Sequence, residues 1–170
     1  MKRWSGHFHG FGPWVGPPDV YHSEGNRRPP HPDPPPPPRD DEDKEAVKRL
    51  QRYREVVATF TTSGLPPMMS GHWLLKRNQA SVERTWTDAS LAVDWMTKHY
   101  EDNPPLQSED GKPTYGDLAS KREYVLTVLP GGADVSWVYY TKSGNIVSLS
   151  VVCCPNIHHP DLVCPLPCAL

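Results

Sequence analysis

No run of apolar residues in this chain approaches the ~18–20 that a bilayer-spanning helix requires, so the sequence reads as that of a soluble protein. The N-terminus, Met1-Lys2-Arg3-Trp4-Ser5-Gly6, has two positive charges but no apolar stretch after them. That argues against a secretory signal, and an intracellular protein is the expectation. Charge of one sign is also missing. The formal net charge is −2, so no global field draws the chain to nucleic acid or to an anionic membrane. Cysteine is absent before position 153, and all four (Cys153, Cys154, Cys164, Cys168) crowd into the last eighteen residues, unlike a secreted disulfide scaffold. Catalytic signatures are lacking as well. Gly131-Gly132 is followed by another strand-like stretch and not by a helix, so it reads as a turn and not as a phosphate loop. Asp88 and Asp94 are six apart on a helix, and Glu109-Asp110 sit in a polar loop, so neither carboxylate pair converges for acid–base work. His72 and His99 read as ordinary edge histidines. A non-enzymatic protein is the expectation.

Proline is abundant. Of 21 prolines, 11 fall between Pro13 and Pro38, and Pro29 to Pro38 is interrupted only by His31 and Asp33. With Gly10, Gly12 and Gly16 also breaking any period, residues 1–39 read as a disordered arm with polyproline II character. Pro34 to Pro38 followed by Arg39 makes a rigid ligand for an aromatic-lined groove on another protein. Trp4, Phe8, Phe11 and Trp14 add apolar anchors, which would contact a partner or dock back onto the domain.

Behind the arm, residues 40–154 read as one α+β domain. Asp40 to Asp43 mark a helix start, and Val47, Leu50, Tyr53, Val57 and Phe60 recur at three- and four-residue spacing, which predicts a helix over 41–62. Residues 72–86 alternate and predict a hairpin, with a helix over 74–84 as the rival. Thr87-Asp88 opens a second helix with Leu91, Ala92, Trp95, Met96 and His99 as its inward stripe, closed by Asn103-Pro104-Pro105. A polar loop follows over 104–117. Tyr124–Leu129, Val135–Thr141 and Ile146–Cys154 read as strands, the last two joined by the turn signal Lys142-Ser143-Gly144-Asn145. The expected architecture is a three-stranded antiparallel sheet (five-stranded if 72–86 is a hairpin), covered on one face by the two amphipathic helices. The other face is expected to be more polar.

Residues 155–170 form a tail rich in Cys, His and Pro. One strand cysteine, Cys154, with His158, Cys164 and Cys168 would supply four donors for a structural zinc if the tail folds back. Free thiols and a disulfide are the competing readings. Catalysis by a zinc- or thiol-dependent centre here is the remotest, because Cys153-Cys154 and His158-His159 are neighbours whose side chains diverge. A basic cluster, Lys48, Arg49 and Arg52 on the first helix with Lys76 and Arg77 near Trp73, is the candidate for nucleic-acid contact, set against a plain solvated face. The leading expectation is an accessory or regulatory protein that binds another protein through its arm and one face of the domain.

Overall fold

The computed structural model describes residues 4–40, 42–69 and 71–166. The fold is mixed α+β, with one antiparallel four-stranded sheet and six α-helices among the described residues. Strand order is β2-β1-β4-β3, where β1 is His7–Gly16, β2 is Thr85–Trp86, β3 is Val135–Tyr140 and β4 is Ile146–Cys154. β3 and β4 form the hairpin expected from the turn signal: Gly144, at φ +82°, donates its N–H to the Thr141 carbonyl at 3.0 Å.

The strand that was not expected is β1. It lies at the centre of the sheet, paired with β4 on one side and β2 on the other, inside the segment that reads as a disordered arm. Its glycines and proline, which break any sequence period, fit this position. A Cβ on Gly10 would sit 2.9 Å from the Trp86 ring, and one on Gly12 (φ +92°) would sit 2.8 Å from the Ser148 carbonyl oxygen. Close approach and a left-handed backbone both demand glycine there. Pro13 falls where the register shifts between Phe11 and Trp14, a break in the ladder where a missing N–H costs nothing. Downstream, α1 (Pro18–His22) and α2 (Glu24–Arg27) are held by Arg27. Its buried guanidinium donates to the carbonyls of Tyr21, Pro66 and Pro67 and stacks 3.7 Å over the Tyr21 ring. Within the segment that reads as an arm, residues 28–40 are the one long stretch without a helix or strand among the described residues.

β4 is buried along its whole length, so the face expected to be polar is covered there, while on β3 the expected alternation holds and Ser136 and Tyr140 are exposed. Val147, Leu149, Val151 and Cys153 point into the larger core with Phe8, Trp137 and Tyr139, covered by α5 (Ala89–Asp102) and α6 (Leu118–Val128). Ile146, Ser148, Ser150, Val152 and Cys154 point the other way. There Val152 and Cys154 join Phe11 and α4 (His72–Leu75) in a second cluster.

The helices revise the expected cover. α5 forms as expected, capped by Asp88 accepting from Ser90 N, with Ala92 and Met96 fully buried, although Leu91 turns out to solvent. Residues 124–128 belong to helix α6, and Leu129 to the 3-10 turn that follows it, and not to a strand: Asp117 caps the helix by accepting from the Ser120 N–H and hydroxyl at 2.8 Å, and Val125 and Leu129, one turn apart, are fully buried. A short apolar run has the same composition in a buried strand and in a helix end, and here the cap decides. α3 (Lys44–Thr62) forms where expected, with Asp43 as its cap, but it stands aside from the sheet. Its C-terminal end is anchored by Phe60 against Trp73, while Val47 and Val56 are exposed. Residues 72–86 are neither hairpin nor long helix. They form α4, a 3-10 turn at Val82–Arg84 and the short edge strand β2.

Candidate metal centre

Strand geometry assembles a cluster that sequence spacing does not show. His7 and His9 are two apart on β1, so their rings lie on the same face of the sheet. His7 stands directly opposite Cys154 of β4, and His9 opposite Val152. The tail then returns over this face and brings Cys164 to both rings. His7 Nε2 and His9 Nε2 are 3.0 Å apart, and Cys164 Sγ lies 3.4 Å from each. All four donor atoms, Cys154 Sγ included, lie within 4.8 Å of one another. A tetrahedral zinc with bonds of about 2.0–2.1 Å to nitrogen and 2.3 Å to sulfur has edges of roughly 3.3 Å between nitrogens and 3.6 Å between nitrogen and sulfur. The separations among His7, His9 and Cys164 come within about 0.3 Å of those edges.

The protonation pattern fits ligation. Thr85 Oγ1 donates to the Ser81 carbonyl at 2.7 Å, so its lone pair must accept the bond that joins it to His9 Nδ1 at 2.8 Å. His9 is therefore protonated on Nδ1, and Nε2 presents its lone pair to the cluster. Burial, with His7 as a lesser cause, pushes the His9 pKa down to about 4, and burial lowers that of His7 too, so both rings are neutral near pH 7. The thiols carry the charge problem. Burial, reinforced by the neighbouring Cys164, pushes Cys154 up to about 12, so a thiolate forms there only with a cation to compensate it. As a thiol, Cys164 donates to the Leu166 carbonyl at 3.2 Å.

Two of the expected ligands, Cys154 and Cys164, are thus in the cluster. His158 is not. The Asn156 side-chain oxygen accepts from the N–H groups of both His158 and His159, and this turn leaves both histidines exposed. His159 instead stacks on His72 with ring centroids 3.7 Å apart. Cys168 lies outside the described residues. His7 and His9 were missed, although the His-x-His alternation was the signal, because the segment holding them reads as disordered. Among the described residues, no disulfide joins Cys153, Cys154 or Cys164.

The other candidate residues are scattered. Phe8 and Phe11 are core residues, 2 % and 3 % exposed, so they are not docking anchors. Trp4 packs on Phe8 and donates Nε1–H to the Pro155 carbonyl at 3.0 Å, and Trp14 packs against Tyr21. These aromatics dock back onto the domain. Pro34 and Arg39 remain exposed and Pro38 is half-buried. Lys48, Arg49 and Arg52 lie exposed on α3, and Lys76 sits 4.2 Å over the Trp73 ring. Arg77 is buried and cannot present its charge to a phosphate backbone. Among the described residues, no helix is long and apolar enough to cross a membrane. No family model matches this chain, and no curated protein or solved structure matches it.

Proposed function

We propose that this protein is a non-enzymatic interaction module whose sheet is clamped by a structural zinc on His7, His9, Cys154 and Cys164, and whose exposed proline segment contacts another protein. The convergence of four donors, two nitrogens and two sulfurs, carries the zinc reading. Four protein ligands close a tetrahedral site and leave no position for a reactive water, which is the pattern of structural and not catalytic zinc. The thiols support the same reading over a thiol enzyme. Cys153 is fully buried in the core with its pKa raised by burial and by Asp134, and Cys154 is raised too, whereas a nucleophile needs a lowered one. The clamp would join β1 to the C-terminal tail and so cross-link residues 157 apart in the chain.

For the partner, the support is the run Pro34 to Arg39, which carries no helix or strand and is largely exposed beside α3. Proline holds such a segment extended at little further ordering cost, which suits an aromatic-lined groove. The test has two arms. Metal analysis of the purified full chain should give one zinc per chain, lost in Cys164→Ser. Calorimetry against a polyproline-binding domain should show binding that Pro34→Ala with Arg39→Glu removes while zinc content stays unchanged. Absence of stoichiometric metal removes the clamp, and unchanged binding in the double variant removes the proline contact.

A further inference from the structure

Arg77 stands out among the charged groups. It is 3 % exposed, yet no carboxylate lies within ion-pair distance of it among the described residues. Nη1 donates to the Leu65 carbonyl, and the guanidinium lies 4.4 Å over the Phe60 ring. Nε and Nη2 are buried with no partner among the described residues. Arg27 provides the internal contrast, since it is equally buried but has all three of its nitrogens on carbonyl oxygens. A buried guanidinium normally has its donors filled, because each unfilled one costs its full desolvation.

Arg77 also lines a narrow cavity of about 30 Å³, room for one or two water-sized species. Its other polar walls include Ser148 and Ser150, buried residues on the sheet face opposite the main core, and Gln79. Among the described residues, no acidic one lines it. A second guanidinium adds positive charge close by: Arg84 donates to the backbone carbonyls of Gly12 and Gln79, two residues of the cavity wall, and has no ion pair among the described residues. The Ser150 hydroxyl shares its hydrogen bond with Ser136, which leaves that of Ser148 as the natural second donor. Positive charge, unfilled donors and small volume therefore coincide in one place.

We propose that this cavity binds a single small monovalent anion, of the size of chloride, held by Nε and Nη2 of Arg77 with the Ser148 hydroxyl. The anion neutralises the buried guanidinium and locks the 63–79 segment onto β1 and β4. Burial lowers the Arg77 pKa to about 10, so the group is still cationic at neutral pH and still needs a counter-charge. This site is independent of the zinc clamp.

The test is thermal unfolding of the full chain at constant ionic strength, with sodium chloride exchanged for sodium gluconate, whose anion is too large for the cavity. Chloride at tenfold its dissociation constant should raise the melting midpoint by about 3–6 °C, and Arg77→Met should abolish that rise. Should Arg77→Met fail to fold, bromide-soaked crystals of the unaltered protein decide the matter through an anomalous peak beside Arg77. Equal midpoints in chloride and gluconate, or a cavity holding only water in the presence of bromide, would overturn the proposal.

Discussion

His7 faces Cys154 across β1 and β4, so a residue near the start of the described chain and one near its end occupy a single register position. This pairing makes the N-terminal segment part of the sheet. A chain starting at Pro17 should therefore lose its cooperative thermal transition, because β4 would be stripped of its neighbour along eight paired positions. Circular dichroism melts check this. A sharp transition in the truncated protein would mean that β1 is dispensable.

Core placement of the same strand can be tested without deleting it. Phe8→Ala should cost about 3–5 kcal/mol, since Phe8 is nearly fully buried beneath α5. Tyr124→Ala should cost less than about 0.5 kcal/mol, since α6 leaves Tyr124 62 % exposed. Urea unfolding of both variants gives the comparison. Were 124–129 a sheet strand with Tyr124 inward, the second value would approach the first.

Much of the fold was legible in the sequence where a local signal agreed with the final packing. The Asp43 and Asp88 caps, the Lys142–Asn145 turn and the alternation of Val135, Trp137 and Tyr139 each determine their element through nearby atoms. β1 was illegible because its glycines and proline answer to distant groups, the Trp86 ring and the Ser148 carbonyl, which no local window contains. The site suffered for the same reason. Cys154 and Cys164 were found by residue type, but His7 and His9 could be recognised as ligands only once their segment was known to be a strand.

The shell around the cluster offers a conservative probe. Thr85→Val keeps the shape of the side chain but removes the oxygen that fixes His9 on Nδ1. Zinc affinity should fall about 10–100-fold, measured by competition with a chelator, while the fold persists. Unchanged affinity would mean that Thr85 does not orient the ring.

Acid should weaken the metal-free protein through His9. Its folded pKa of about 4 lies below the ordinary 6.5, chiefly through burial and then through His7. Below pH 6.5 the unfolded chain takes up a proton that the folded chain refuses. The contribution, about 3 kcal/mol at most, is complete above pH 6.5 and lost as pH falls toward 4. Urea melts after chelation should show this slope, and His9→Gln should flatten it. An equal slope in the variant would assign the acid sensitivity to other groups.

X-ray absorption at the zinc edge of the purified full chain addresses the clamp most directly. The account predicts one zinc per chain with two nitrogens at about 2.0–2.1 Å and two sulfurs at about 2.3 Å. His7→Gln and Cys154→Ser should each remove one ligand of the corresponding type. A zinc-free protein, or a zinc bound by sulfur alone, would contradict it.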